Sequence, residues 1–455
     1  MDFVRNLLKG DKYIWGIFFT LCIISGVEIF SATSTLAYKA AAHYNPVFSH
    51  LTHLIFGAIG TIVVLNMPPH FFRGIGYMIY PFAIILLVGV MFTPEVNGAN
   101  RHLFGFQPSE IAKFATISVA CALLARGQTE DGITKNSYIG IILTSGFVLI
   151  LIAVENMSTA ILLGGVIFCL MFIAHVQSKR LLSIIGIGAG MLMIGLLLMF
   201  TLPNSMLVGR TLTWKNRIVE QFPSLTILDR GQSLTSLNEK AIAEKKLPKV
   251  EQTVNDKNRQ VQYGHMAIAN GGIFGKGPGN SQIRDFLPQA YSDFIYSIII
   301  EESGLVGGSI VLLLYIALII RAGIIFRRCK KSYPGLLILG VTMLIVFQAL
   351  INMAVGVDLM PVTGQPLPLI SRGGTSIILT CLYFGIILSI SRSVEEVENP
   401  VLSEEEAIIK ELNKDDYNPN QETKETGDQL SQAEGRNNQL QEEEIIIEEK
   451  DNYPY

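Results

Sequence analysis

Long apolar runs alternate with short polar stretches over most of the chain. Runs near 13–33, 50–66, 74–92, 109–125, 136–153, 159–175, 181–203, 291–320, 334–356 and 371–391 approach the length needed to cross about 30 Å of hydrocarbon. They predict an all-α polytopic membrane protein with about ten transmembrane helices. Two runs are short, and the pair at 136–175 is split only by Glu155-Asn156-Met157-Ser158, so nine or eleven spans stay open. Residues 204–290 interrupt the rhythm as a long loop between spans seven and eight. Within it, SLNEKAIAEKKL reads as a solvated insertion or a short surface helix. Residues 394–455 are rich in Glu, Asn, Gln, Asp and Lys, which predicts a disordered acidic tail after a membrane domain of residues 1–393. No internal repeat is visible, so an inverted-repeat transporter has no support.

Composition agrees. The chain is 50% hydrophobic and 16% charged, where a soluble protein carries about a quarter charged residues. The net charge of −3 is uneven, because the acidic tail hides a basic membrane part. Nothing in that balance supports nucleic-acid binding. Lys and Arg concentrate in alternate loops: Arg5, Lys9, Lys12, Arg73, Arg126, Lys135, Lys179, Arg180, Arg327, Arg328, Lys330 and Lys331. The opposite short loops hold little beyond Lys39 and Arg101. The positive-inside rule then puts both chain ends in the cytoplasm and residues 204–290 outside. The basic start, MDFVRNLLKGDKYIWG, lacks a convincing cleavage site and reads as the lead into an uncleaved first span. The five cysteines show no CxxC or metal spacing, and no disulfide is expected.

Polar chemistry enters the apolar spans at four places, all on the outer side under that topology. In NGANRHLFGFQPSEIAKFA (97–115), Pro108 and Ser109 read as a helix start. Glu110 and Lys113 then share a helix face, as a site or as a pair that neutralises itself. VENMSTA (154–160) reads as a plain polar hairpin. In GKGPGNSQIRDFLPQAYSDFIYSIIIEESGLVGG (275–308), Asp293 stands where a glycine-rich loop meets a long apolar run. An acid there is either a helix cap or functional. Glu301 and Glu302 lie roughly 12–14 Å further along a continuous helix and read as buried polar staples. In GVDLMPVTGQPLPLISRGGTSIIL (356–379), prolines and glycines interrupt an apolar run. Such backbone survives at membrane depth only inside protein or beside a wet cavity. Its Ser371-Arg372-Gly373-Gly374-Thr375-Ser376 stretch offers donors and a cation suited to a pyrophosphate. The shared sidedness predicts a cavity for a lipid-linked anionic substrate.

These motifs resemble the SEDS family, the FtsW/RodA/SpoVE group of bacterial membrane proteins. NGANRHLFGFQPSEIAKFA is similar to its outer loop and fourth span, GGIFGKGPGNSQIRDFLPQAYSDFIYSIIIEESGLVGG to its loop exit and eighth span, and PVTGQPLPLISRGGTSIILTCLYFGIILSISR to its final span. The resemblance covers roughly residues 13–393. It implies an inverting glycosyltransferase that polymerises lipid II into glycan strands at the outer leaflet, with undecaprenyl pyrophosphate leaving. It implies Asp293 as the catalytic carboxylate and general base. Lys113, Arg101, Glu110, Ser371, Arg372, Gly373, Gly374 and Arg217 are the candidate substrate-binding residues. A divalent cation (Mg or Mn) on the pyrophosphate suits the chemistry, although no ligand set is visible. The implied partners are lipid II and nascent glycan, a class B penicillin-binding protein as transpeptidase, and other divisome proteins, in the bacterial inner membrane at the division septum.

The sequence departs from the family in places. Where many members have Pro-Asp-Leu-Gly-Thr between spans five and six, this chain has Glu155-Asn156-Met157-Ser158-Thr159, so a charge role at Asn156 is in doubt. Arg372 stands where an aromatic is common, and the long loop is extended around 224–258. The wording Pro-Val-Thr-Gly-Gln-Pro-Leu-Pro and the acidic tail lean towards the division branch over the RodA-like elongation branch. Two other function classes compete. A lipid II flippase predicts charge along the whole path, which the apolar cytoplasmic halves of the spans lack. A non-catalytic divisome scaffold predicts that Asp293 is dispensable.

Overall fold

The computed structural model describes residues 9–32, 45–92, 107–130, 132–201, 259–287, 292–372 and 374–398. Eleven described helices follow in order: α1 Lys12–Ala32, α2 Asn45–Leu65, α3 Pro69–Val90, α4 Pro108–Gly127, α5 Lys135–Glu155, α6 Met157–Ile173, α7 Ser178–Thr201, α8 Arg259–Gly271, α9 Ile295–Arg328, α10 Ser332–Gly356 and α11 Thr375–Glu398. A two-residue hairpin, β1 Gln128–Thr129 against β2 Gly132–Ile133, joins α4 to α5. Nine of the described helices are long and apolar enough to span a membrane, and α6 is a shorter apolar helix of 17 residues. The ten spans read from hydropathy therefore appear as nine long helices and one short one.

Burial sorts them into layers. The spans of α4, α10 and α11 are 78%, 83% and 72% buried, so these three form the centre. α2, α3 and α5 are buried over less than a third of their spans and turn Phe56, Ile85 and Ile150 outward. A large hydrophobic cluster runs through the centre, including Ile117, Leu170, Leu344 and Phe384. In a bilayer, where lipid is as apolar as leucine, close packing and internal hydrogen bonds hold such a bundle together.

Two elements differ from the sequence expectation. The long loop does not stay irregular to its end, because residues 259–271 form α8 along α9. α11 continues to Glu398, so residues 394–398 are helical, and the rest of the expected tail lies outside the described residues. SLNEKAIAEKKL and the extension at 224–258 also lie outside them.

The eighth span is not one helix. Gly304 breaks α9 with φ 73° and ψ −176°. In an unbroken helix the Leu305 and Val306 N–H groups would bond the carbonyls of residues 301 and 302. Here they donate to the Gly272 and Ile273 carbonyls at 3.0 and 3.2 Å. The Glu301 and Glu302 carbonyls accept instead from the N–H groups of Lys276 and Gly277, at 3.1 and 2.8 Å. The preceding loop is spliced into the helix, and all four backbone groups freed by the break are satisfied. Only glycine fits this crossing. A Cβ on Gly304 would meet Ile273 O at 2.1 Å, and one on Gly275 would meet Glu302 O at 2.2 Å.

Candidate functional site

Asp293 stands immediately before the first half of α9. Phe294 is the N-cap residue and has no side-chain cap bond, so Asp293 is not the cap. Asp293 is 8% exposed as a residue, and its Oδ1 accepts from the Ser292 hydroxyl at 2.9 Å. Its backbone is gripped from two sides. Asn352 Nδ2, from α10, donates to the Asp293 carbonyl at 3.1 Å. The Ser371 hydroxyl donates to the Ser292 carbonyl at 2.7 Å.

The loop between α10 and α11 supplies the second wall. Asn352 Nδ2 also donates to the Gln365 carbonyl at 2.8 Å, so one amide ties the loop to the Asp293 turn. Gln365 Nε2 donates to the Thr159 hydroxyl at 2.7 Å. Thr159 N–H in turn bonds Asn156 Oδ1 at 3.4 Å, which caps α6. The hairpin at 154–160 is thus joined to the site through neutral side chains.

Lys113 closes the system. It is fully buried on α4 and donates to Glu110 Oε1 at 2.8 Å and to Gln348 Oε1 at 3.1 Å. Gln348 Nε2 continues to the Pro366 carbonyl at 3.0 Å, beside Gln365. Pro108 in the first turn starts α4 where the sequence suggested, and it sets Glu110 and Lys113 one turn apart. The Tyr383 hydroxyl of α11 holds the Glu110 carbonyl at 3.0 Å. The Glu110–Lys113 pair is therefore real, and Lys113 also reaches the loop network.

Glu301 and Glu302 fasten the loop. Glu301 accepts from the Ser281 hydroxyl, from Gln282 N–H at 3.1 Å and from Asn270 Nδ2 at 3.2 Å. Glu302 accepts from the Ser31 hydroxyl and from Gly279 N–H at 3.0 Å, with Arg284 Nη1 3.8 Å away. These are structural staples at the Gly304 break.

The structure thus brings Asp293, Lys113, Glu110 and Ser371 into one hydrogen-bonded system. Ser371 is buried, and its hydroxyl is occupied by the Leu367 N–H and the Ser292 carbonyl. Its role is to hold the turn, not to present a donor to solvent as the sequence suggested. Arg372 and Gly374 follow on the same loop, partly buried. Arg101, Arg217 and Gly373 lie outside the described residues. Sequence reasoning missed Thr159, Gln348, Asn352 and Gln365. The four-residue spacing of Gln348 and Asn352, two amides on one face of an apolar helix, was the available signal. Among the described residues no group of three His, Cys, Asp or Glu side chains could hold a metal ion.

Known proteins share this architecture. The Cell cycle protein family that spans FtsW, RodA and SpoVE matches residues 11–396. The Saccharophagus degradans protein named "Probable peptidoglycan glycosyltransferase FtsW" is 28% identical, over 84% of this chain and 94% of its own. The protein of that name from Marinobacter nauticus is 29% identical over 80% and 85%. Among solved structures, a chain of a peptidoglycan synthase complex aligns with TM-score 0.59 at 22% identity, over 84% of this chain and 98% of that one. Thermus thermophilus Rod shape determining protein RodA aligns with TM-score 0.55 at 21% identity, over 85% and 98%. At that identity the structures speak to the fold, while the match across residues 11–396 carries the assignment. The chain belongs to the SEDS family of cell cycle proteins, the group of FtsW, RodA and SpoVE.

Proposed function

We propose that this protein is a peptidoglycan glycosyltransferase that polymerises lipid II at the outer leaflet, in septal wall synthesis. The observation that carries this is Asp293: a nearly buried carboxylate whose backbone is fixed by Asn352 and Ser371, in the network that ends on Lys113. A carboxylate so placed suits a general base, which must be held within hydrogen-bond reach of the proton it takes. Asp293 removes the proton of the acceptor sugar hydroxyl. That oxygen attacks the anomeric carbon of the donor with inversion. The bond from carbon to pyrophosphate oxygen breaks, and polyprenyl pyrophosphate leaves. The cations Lys113 and Arg372, with Arg101 and Arg217, are the groups for the negative charge on the leaving side. The named relatives support the glycosyltransferase reading, and the synthase complex supports a class B penicillin-binding protein as partner.

The test is polymerisation by the full chain, purified with its cognate transpeptidase and supplied with lipid II, with products resolved on a gel. Wild type should make polymer. Asp293→Asn, nearly isosteric, should lose about a hundredfold or more in rate, the usual contribution of a general base. Equal polymer from both proteins would remove Asp293 from the chemistry and favour a scaffold.

A further inference from the structure

Three buried polar side chains stand outside the network just described: Ser25 on α1, His50 on α2 and Tyr315 on α9. All three lie in membrane spans, and they are 0%, 3% and 0% exposed. Their bonds converge on the turn that precedes Ser371. The Tyr315 hydroxyl donates to the Pro368 carbonyl at 2.5 Å. The Ser25 hydroxyl donates to the Leu369 carbonyl at 2.6 Å and lies 2.8 Å from His50 Nε2. A hydroxyl has one proton and a carbonyl has none to give, so His50 carries a proton on Nε2 and donates it to Ser25. His50 thereby aims the Ser25 proton at Leu369.

Leu369 is strained. Its φ is 65°, in the left-handed region that a residue with a bulky side chain adopts rarely and at a cost in free energy. The Pro368 and Leu369 carbonyls belong to the two peptide planes on either side of the Leu369 Cα. Gripping both fixes the rotation of one plane against the other, which is the φ and ψ of Leu369. Ser371 closes the same turn. Its N–H donates to the Leu367 carbonyl at 2.9 Å, and its hydroxyl accepts from the Leu367 N–H at 2.7 Å. That hydroxyl also donates to the Ser292 carbonyl at 2.7 Å, directly before Asp293. The conformation of Leu369 therefore bears on where the Asp293 turn is held.

We propose that Ser25, aimed by His50, and Tyr315 are positioning residues for glycosyl transfer. They hold Leu369 in a conformation it would otherwise leave, and through Ser371 they keep the Asp293 turn in place. They act through the backbone and not on the substrate. The proposal rests on the polymerase reading given above.

Strain gives this clamp a signature that an ordinary buried hydrogen bond lacks. Glycine adopts positive φ about as readily as negative φ, so Leu369→Gly lessens the need for the clamp. The full chain, in nanodiscs with its cognate transpeptidase, is assayed on lipid II in both backgrounds. With Leu369 in place, Ser25→Ala should lower kcat about tenfold, the population shift that such strain implies, with KM unchanged. Tyr315→Phe, which removes only a hydroxyl, should do the same and serves if Ser25→Ala does not fold. In the Leu369→Gly background the same substitutions should lower kcat less than about twofold, because the conformation is no longer strained. Equal falls in both backgrounds would mean a merely structural bond and overturn the proposal, as would no fall in either. His50→Gln keeps an N–H donor and should recover most of the kcat that His50→Leu loses. Equal loss in both would overturn the part given to His50. Amide hydrogen exchange reads the clamp without any reaction: the Ser371 N–H should exchange about tenfold faster in Ser25→Ala than in wild type. Unchanged exchange in the folded variant would overturn the proposal. If wild type makes no polymer while this difference in exchange is seen, the polymerase reading fails and the clamp on the Asp293 turn stands.

Discussion

At the scale of single residues, two questions decide how the site works. The first is whether Asn352 positions Asp293. Its Nδ2 bridges the Asp293 and Gln365 carbonyls while the residue is 1% exposed. Asn352→Ala leaves two buried carbonyls without this donor, at about 1–3 kcal/mol each. The expected result is a lower thermal midpoint together with a fall in kcat. Asn352→Asp should be worse, because it sets a carboxylate against both carbonyl oxygens. Unchanged kcat in the folded Ala variant would remove Asn352 from the positioning role. The second is whether Lys113 serves chemistry or only neutralises Glu110. Lys113→Met should cost about 3–5 kcal/mol by leaving a buried carboxylate without its cation. Adding Glu110→Gln should restore the thermal midpoint. If polymerisation returns as well, Lys113 is only a counter-ion. The Glu110–Lys113 pair was legible because charges three apart on an apolar helix stand out. Gln348 and Asn352 offered only their four-residue spacing, and Thr159 and Gln365 not even that, because a lone neutral side chain gives no periodic signal and the Thr159–Gln365 and Asn352–Asp293 bonds join residues far apart in sequence.

At the scale of elements, the spans came directly from hydropathy, since the length needed to cross a bilayer is a strong constraint. The observed helices begin and end within a few residues of most expected runs. The eighth span was the exception. Its run of apolar residues through Ser303-Gly304-Leu305-Val306 reads as continuous helix, and the break depends on a loop thirty residues earlier. No window of local sequence contains both halves. Gly304→Ala tests the splice. It puts a Cβ at a φ of 73° and within 2.1 Å of the Ile273 carbonyl. Strained backbone of this kind costs about 1–3 kcal/mol before the steric clash is added. The thermal midpoint should fall clearly, whereas Gly26→Ala, which meets open space, should leave it unchanged.

At the scale of the whole molecule, the elements that carry Glu110, Asn156, Asp293, Asn352 and Ser371 meet at one end of the bundle through the bonds described above. The other end gathers basic residues and its own anchor. Asp11 accepts from the Tyr13 and Ile14 N–H groups at 2.9 and 3.2 Å and pairs with Arg321 at 2.5 Å. Sidedness can be read with membrane-impermeant thiol reagents on intact cells. Lys330→Cys, at the basic end, should be protected, and Asn280→Cys, in the loop before Asp293, should react. The reverse pattern would invert the orientation read from Lys and Arg. Native Cys329 should interfere little, because burial pushes its thiol up to about 11 and keeps it protonated near neutral pH. The splice at Gly304 has a consequence for how this end opens. Two segments about thirty residues apart complete each other's backbone bonding, so neither is satisfied in hydrocarbon without the other. They must open as one cooperative unit. In amide hydrogen exchange the N–H groups of Lys276, Gly277, Leu305 and Val306 should therefore share a single opening free energy, and the Asp293 turn between them should keep its shape for as long as that unit stays closed.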